Sequence, residues 1–265
     1  MAVPQIEFAG LVVSRLMVGG NPFSGNSHQP GSASREMRDY FTTARIIEVL
    51  ARCESLGITT FVGRADAHII RVLHEYWNAG GRVAWIAQTA PEMRSVDENI
   101  RRAVGEGARA VYIHGGWFDE RWEAGDLADV DRALATIHSL SVPAGIGGHI
   151  PEYHLAAVGQ LAADFHMVSC YRCGSIHAAK GETFDPADFA PALAAMGQLP
   201  RPCIAFKLLG AGRFDPAVQI PAALRAIKPT DAILVGFYPK HQPRQVEDVV
   251  ALVQRGVAVP GVEPS

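Results

Sequence analysis

Short apolar runs alternate along this chain with stretches in which apolar residues recur at helical spacing. An alternation of this kind, with an interval of roughly 25–40 residues, predicts repeated βα units and a parallel sheet. The amphipathic stretches include Ala44–Leu56, Val96–Gly105, Leu127–Leu140 and Val246–Gln254. The predicted strands are Arg15–Gly19, Thr59–Val62, Val83–Ala87, Ala110–Ile113, Ala144–Gly147, Phe165–Ser169, Ile204–Leu208 and Ile233–Gly236.

The number of these units indicates how the sheet is arranged. Eight strand–helix repeats favour a closed (β/α)8 TIM barrel over an open sheet, and no linker or charge block divides the chain. We therefore predict one domain over residues 1–265. The longest irregular stretch, Gly20 to Tyr40, follows the first strand and would lie over the mouth of such a barrel.

Composition restricts the kinds of partner. Of the 265 residues, 48% are hydrophobic and 19% are charged, and the net charge is −3, which is typical of a globular protein that binds neither nucleic acid nor an anionic membrane. The first residues lack a basic leader with an apolar run, and four cysteines do not make a disulfide framework. We expect a cytoplasmic protein with a small-molecule substrate, which forms a homo-oligomer as many barrels do.

Residues just past the carboxyl ends of the strands carry the chemistry of barrel enzymes. Polar and aromatic residues in these positions are therefore candidates for contact with a substrate or for catalysis. They are Asn21, His28, Arg64, Asp66, His68, Gln88, His114, Trp117, His149, Tyr171 and Lys207.

Three of the four histidines among these candidates follow the second, fourth and fifth strands. His68, His114 and His149 would all point towards one axial cavity, and converging imidazoles suit a divalent metal such as zinc, manganese or iron. The alternative, which the sequence leaves open, is that each histidine hydrogen-bonds to substrate or to nearby backbone without a metal, since no dense ligand motif is present.

Lys207 interrupts the apolar run Cys203–Leu209. A lysine in such a place has to reach a polar cavity, because burial of an unpaired charge is costly. It would act as a base or Schiff-base nucleophile, or as an electrostatic anchor for a carbonyl or anionic oxygen. Cys170 and Cys173 form a Cys-x-x-Cys pair with His177 close behind, and we interpret this pair as a coincidence of spacing.

Five segments resemble the aldo-keto reductases in order and in spacing. They are Ile6–Gly20, Gly57–Phe61, Val111–His114, Ala205–Gly212 and Ile233–Gly236, and they span nearly the whole chain. The resemblance implies a (β/α)8 barrel whose amino-terminal end is closed by a short hairpin. It also implies a site at the opposite end that binds NADPH.

The catalytic residues of that family are largely replaced. Its aspartate and tyrosine positions fall on Gly63 and His68, its lysine falls on Gln88 or Thr89, and only the histidine is kept, as His114. The resemblance thus indicates a member with a degenerate tetrad. Without a lysine-activated tyrosine, another group would have to donate the proton.

A nicotinamide cofactor remains an alternative because parts of its binding surface have counterparts. The glycine-rich segment after the seventh strand and the basic residues after the eighth would accept phosphate, and the aromatic residue corresponds to one that stacks on nicotinamide in the reductases. The candidates are Phe206, Gly210, Gly212, Arg213, Lys240 and Arg244.

We expect an enzyme that acts on a small polar carbonyl or polyol, sugar-like or keto-acid-like, by non-redox acid–base chemistry, as an isomerase or lyase. His68, His114 and Lys207 are its predicted catalytic residues. One alternative is an NADP-dependent oxidoreductase with His68 as proton donor. Another is a barrel that binds a metabolite without turnover.

Overall fold

A two-stranded hairpin opens the chain in the computed structural model, which describes residues 3–90, 92–93, 95–173 and 182–257. Strands β1 (Gln5–Phe8) and β2 (Leu11–Ser14) pair antiparallel. The turn between them holds Ala9 and Gly10 at φ of 48° and 81°, a left-handed pair of the kind that tight hairpins require. The hairpin packs on apolar side chains inside the barrel and closes its amino-terminal end, as predicted.

Eight parallel strands form a closed barrel above this hairpin. Neighbours along the chain pair with each other, and the last strand pairs with the first. The predicted (β/α)8 barrel is confirmed. Its strands are β3 (Leu16–Gly19), β4 (Thr60–Arg64), β5 (Ala84–Gln88), β6 (Ala110–Ile113), β7 (Ala144–Gly148), β8 (Phe165–Ser169), β9 (Cys203–Phe206) and β10 (Ala232–Gly236).

Helices cover the outside of the barrel, and each of the first and fourth connections contains two. In the described ranges no helix is both long and apolar enough to cross a membrane. The helices are α1 (Ala33–Tyr40), α2 (Thr43–Ser55), α3 (Ala67–Asn78), α4 (Val96–Gly105), α5 (Gly115–Ala124), α6 (Ala128–Ser139), α7 (Pro151–Ala157), α8 (Phe189–Gln198), α9 (Pro216–Ala226) and α10 (Gln245–Val257).

The barrel strands separate two layers of core. Along β8, Phe165 and Met167 point into the barrel, whereas Val168 packs against the helices. Every residue of this strand is buried, including the polar His166 and Ser169, because both faces of the strand are covered.

The predicted seventh strand is too long at its carboxyl end. We expected it to reach Leu208, but β9 ends at Phe206. Lys207 is in the left-handed region at φ 57°, which turns the chain out of the sheet. A residue with a Cβ is uncommon in this region and such strain concentrates at functional sites.

Two histidines face each other behind the barrel wall. Nδ1 of His154 on α7 lies 3.1 Å from Nδ1 of His166 on β8. Burial lowers the pKa of His154 well below its usual value, and burial together with the charges of Lys228 and Arg201 lowers that of His166 to about 4. Both imidazoles are therefore neutral in the folded protein at neutral pH.

This pair predicts a loss of stability in mild acid. The unfolded chain binds protons on both histidines near pH 6.5, whereas in the folded protein the pKa of His166 is about 4 and that of His154 is also lowered. Stability is therefore complete above pH 6.5 and decreases as the pH falls towards 4, by roughly 3 kcal/mol for a shift of this size. Urea unfolding between pH 4 and pH 7.5 measures this decrease.

The matched variants are His166→Leu, which removes one member of the pair, and His68→Gln, which changes an exposed histidine. We expect a shallower pH dependence in His166→Leu and the wild-type dependence in His68→Gln. If stability decreased with pH by the same amount in the wild type and in both variants, the His154–His166 pair would not be the cause of the decrease.

Candidate active site

Two strand ends and two loops bring the titratable groups of one side of the mouth together. His149 follows β7, Lys207 follows β9, His28 lies in the loop after β3, and Glu182 lies in the loop before α8. Parallel strands of a barrel all end at the same rim, so residues far apart in the chain meet there.

His149 is held by a carboxylate that the sequence analysis missed. Its Nδ1 lies 2.7 Å from Oδ2 of Asp119 on α5, and its backbone N–H donates to the same carboxylate at 3.1 Å. A neutral imidazole that donates through Nδ1 keeps Nε2 as the acceptor. Within the described part of the chain Nε2 has no hydrogen-bond partner.

The pKa of His149 is lowered, mainly by burial. The hydrogen bond from its ring to Asp119 raises the pKa, the charge of Lys207 lowers it, and the net change is downward. An imidazole that stays neutral at physiological pH and is oriented by a carboxylate is suited to accept a proton.

The close approach of Asp119 depends on a glycine at the end of β7. A Cβ built on Gly148 would lie 3.1 Å from Oδ1 of Asp119 and 2.6 Å from Nε2 of His154. The segment Gly147-Gly148-His149 therefore provides the space for the carboxylate. In the sequence, two glycines directly before a histidine indicate a close approach at this point, but they do not show that Asp119 is the residue that approaches.

A chain of hydrogen bonds crosses from the first loop to Lys207. Nδ2 of Asn21 lies 2.9 Å from Nε2 of His28, and Nδ1 of His28 lies 2.6 Å from Oε2 of Glu182. The other oxygen of Glu182 accepts from Nζ of Lys207, which also lies 3.0 Å from Sγ of Cys173. The side chains of Lys207 and Glu182 are 7% and 6% exposed, so the ion pair is almost completely buried.

Glu182 stays ionised in this setting. Burial alone would raise its pKa, but the hydrogen bond from His28 and the charge of Lys207 lower it to about 2. Glu182 therefore remains the counterion of Lys207 throughout the physiological range. The carboxylate of Glu182 also fixes the position of the Lys207 side chain at the mouth.

The loop after β3 is fastened over this pair. Nε2 of Gln29 donates to the carbonyl of Ala211 at 2.6 Å, and the guanidinium of Arg213 donates to the carbonyl of His28 at 2.9 Å. The guanidinium also lies 4.5 Å from the ring centre of Phe184. The long loop after β3 thus lies over the mouth, as the sequence predicted.

The strands β4 to β6 provide a second polar corner. Nε2 of Gln88 donates to the hydroxyl of Tyr112 at 2.9 Å. Arg64 binds Glu92 through a guanidinium N–H and lies 3.5 Å from Oδ2 of Asp66. Asp66 also caps α3 by accepting from the backbone of Ile69. Of these groups the sequence analysis missed Tyr112 and Glu92.

The three histidines predicted to bind metal do not form one group. His149 is buried against Asp119, whereas His68 is exposed on α3. His114 caps α5, and its Nδ1 accepts weakly from the backbone of Trp117 at 3.4 Å. In the described ranges no three His, Cys, Asp or Glu residues are placed to share a metal ion, so these side chains do not fit the predicted site.

Two predicted substrate contacts take part in aromatic packing. Trp117 lies in the helical layer, where the guanidinium of Arg121 is 3.7 Å from its ring centre. Tyr171 is fully buried, stacks 4.9 Å from Phe214, and donates to the carbonyl of Leu208. Tyr171 also contacts Phe184, the ring that the guanidinium of Arg213 faces.

The Cys-x-x-Cys pair lies beside the lysine. Cys170 and Cys173 are both buried and form no disulfide, and burial raises the pKa of each. Their thiolate forms are therefore disfavoured, which argues against thiol redox chemistry. His177 lies outside the described residues.

The residues predicted for a nicotinamide cofactor lie in two places. Phe206 contacts the ring of His149 at 5.6 Å, close to Lys207. Gly210 and Gly212 both have positive φ in the loop that carries Arg213. The two basic residues after β10, Lys240 and Arg244, differ in their contacts.

Lys240 is already paired, since its Nζ lies 2.6 Å from Oε1 of Glu36. Arg244 is exposed and lines a cavity of about 480 Å³ between the starts of α9 and α10. Only this part of the predicted cofactor surface combines open space with an exposed cation among the described residues. The cavity lies beside the barrel wall and not among the charged groups of the mouth.

No protein-family model and no curated protein matches this sequence. Similar solved structures do exist. A presumed aldo-keto reductase from Pseudomonas aeruginosa is 17% identical with a TM-score of 0.64, and the match covers 95% of this chain and 94% of the other. A second structure of such a reductase from the same organism is 18% identical with a TM-score of 0.57, covering 96% and 94%.

A truncated 3-deoxy-D-arabino-heptulosonate 7-phosphate synthase from Thermotoga maritima is also similar. It is 14% identical with a TM-score of 0.56, and the match covers 96% of this chain and 91% of the other. At these identities the similarities establish the (β/α)8 barrel and not a reaction, because one barrel fold supports many chemistries.

The contact at Gly148 generates a prediction. In Gly148→Ala the new methyl group would displace Asp119 or His154, and overpacking of this kind costs about 1–3 kcal/mol. We expect a lower urea midpoint, and a ring resonance of His149 that no longer reports its bond to Asp119 in NMR spectra.

Gly197→Ala is the matched control, because a Cβ at Gly197 in α8 meets nothing within 4 Å. Alanine is favoured over glycine inside a helix by about 1 kcal/mol, so this variant should be slightly more stable. A Gly148→Ala protein with unchanged stability and an unchanged His149 resonance would show that the space at Gly148 is not required.

Proposed function

We propose that this chain is an enzyme that abstracts a proton next to the carbonyl of a small polar molecule, in an isomerisation or an elimination. The observation that carries the proposal is the oriented, neutral His149 next to the buried ammonium of Lys207. The electrostatic effect of Lys207 on the pKa of His149 supports their proximity.

The two groups have complementary roles. Nε2 of His149 takes the proton from the carbon next to the carbonyl, and the electrons of the broken C–H bond form the double bond of an enolate. The ammonium of Lys207 stabilises the negative charge that develops on oxygen, and fixed charges are most effective in a site that excludes water. Protonated His149 then returns a proton to the product.

Asp119 and Glu182 keep these two groups in the required state. Asp119 fixes the tautomer of His149 and stabilises the imidazolium that forms. Glu182 holds the side chain of Lys207 in place, and His28 holds Glu182. Of the bases predicted from the sequence, His68 is exposed on α3 and His114 caps α5.

Proton exchange tests the proposal without knowledge of the complete reaction. In D₂O, the protein should catalyse deuterium incorporation next to the carbonyl of hydroxyacetone or dihydroxyacetone, followed by ¹H NMR. We expect His149→Asn and Lys207→Met to reduce the rate by about 10²–10⁴-fold, since each removes positioned acid–base or charge stabilisation.

His74→Gln is the control, because His74 is a surface histidine paired with Glu106 on the outside of the barrel. The rate should persist below pH 6.5 and be lost only at lower pH, since the pKa of His149 is lowered. No exchange above that of buffer, with intact binding, would favour a barrel that binds a metabolite without turnover.

A second candidate, a nicotinamide-dependent oxidoreductase, is favoured by the cavity at Arg244. The cavity and the exposed guanidinium would accommodate the phosphate-bearing end of a dinucleotide, and the loop of Gly210 and Gly212 lies on the path to the mouth. A bound nicotinamide would supply a hydride to a carbonyl. His68 remains the proton donor predicted for that reaction.

Titration with NADPH, followed by tryptophan fluorescence, tests this candidate. If the cavity binds the cofactor, Arg244→Ala should weaken the affinity by about tenfold, as expected for loss of one charge-assisted hydrogen bond. Arg225→Ala, at an exposed arginine in the last turn of α9, should not change it. Micromolar affinity that is insensitive to Arg244 would place the cofactor elsewhere.

A further inference from the structure

Tyr112 is a buried hydroxyl that the proposed reaction does not use. The residue is 3% exposed, lies on β6, and packs among the apolar side chains inside the barrel. Its register partner on β5 is Gln88, the last residue of that strand, so the hydroxyl lies at the level where the strands end.

The hydrogen bond to Gln88 determines what this hydroxyl offers. Nε2 of Gln88 donates at 2.9 Å, so an oxygen lone pair of Tyr112 is occupied. Its own proton has no acceptor in the part of the chain that the structure describes. Buried donors are nearly always satisfied, so a donor of this kind at a barrel mouth indicates a missing partner.

The charges around the mouth restrict the kind of partner. Each cation of the described rim is already bound: Lys207 to Glu182, Arg64 to Glu92, and Arg213 to the carbonyls of Gly210 and His28. The carboxylates of Asp66 and Asp119 are also present. A phosphate or carboxylate group of a substrate would thus have to compete with the carboxylate or carbonyl that each of these cations already binds.

We infer that Tyr112 is a specificity-determining residue that donates a hydrogen bond to a hydroxyl group of an uncharged hydroxy-carbonyl substrate. The inference rests on the proposed proton abstraction and narrows it, since it favours a sugar-like compound over a keto acid. The carbonyl oxygen would lie at Lys207, and the hydroxyl would reach across the mouth to Tyr112 and Gln88.

Burial supports this role for Tyr112. Burial raises the pKa of its phenol, and the charge of Arg64 lowers it less than burial raises it. The group therefore stays protonated and acts as a donor throughout the physiological range. A site built to donate to a substrate hydroxyl discriminates strongly against an analogue that lacks it.

Binding and exchange, measured side by side, test the inference. Saturation-transfer NMR should detect the neutral compounds erythrulose and dihydroxyacetone and should detect dihydroxyacetone phosphate and hydroxypyruvate much more weakly. In Tyr112→Phe the affinity for erythrulose should fall roughly tenfold, as for the loss of one buried hydrogen bond. The ratio of exchange rates for hydroxyacetone and acetone should fall by a similar factor.

Tyr76→Phe is the matched control. Tyr76 is another buried tyrosine, and its hydroxyl donates to Glu54. It lies near the carboxyl end of α3, which is the end remote from the mouth. Removal of this hydroxyl should leave binding and the exchange ratio unchanged, whatever it does to stability.

The outcomes separate this inference from the proposed function. Binding of the neutral compounds without exchange would contradict the proton abstraction and leave the assignment of Tyr112 intact. Tighter binding of the anionic compounds, no binding of the neutral ones, or a Tyr112→Phe variant with wild-type affinity would overturn the inference.

Discussion

The pairing of the last strand with the first is the interaction on which the site depends. β10 pairs with β3 from Ile233 opposite Leu16 to Gly236 opposite Gly19. This closure brings the loop that follows β3 next to the loop that follows β9. Without it, His28 and Lys207 would lie at opposite edges of an open sheet, and Glu182 would have no reason to contact both.

The mouth that results contains few uncompensated charges. Its lysine and arginines have partners within the protein, and its His149–Asp119 pair is held through both the ring and the backbone of the histidine. Such an arrangement is rigid before any substrate binds, and preorganised charge is the main source of catalytic power in many enzymes. It also means that recognition would depend more on donors and acceptors than on net charge.

The sequence predicts the fold better than the site. Strand positions follow from apolar runs, and six of the eight predicted strands end within one residue of those in the structure. β4 continues two residues further, to Arg64, and β9 ends two residues earlier because Lys207 adopts a left-handed conformation, which an apolar run does not reveal. Lys207 was nevertheless identifiable, because a lysine within such a run is unusual.

The missed residues were hidden for physical reasons. Asp119 lies on a helix and reaches His149 only because Gly148 has no side chain. Tyr112 belongs to an apolar strand, and whether its hydroxyl is satisfied depends on strand register, which requires the structure. Glu182 lies far from both of its partners in the chain. Its contacts could not be inferred without knowing which loops meet.

The hairpin closes the amino-terminal end of the barrel, so the interior is open only at the carboxyl ends of the strands. Phe8 and Val13 fill the closed end, so nothing passes through the barrel. Any molecule that binds inside the barrel must therefore enter by the side on which the loop after β3 lies, and must leave by the same side.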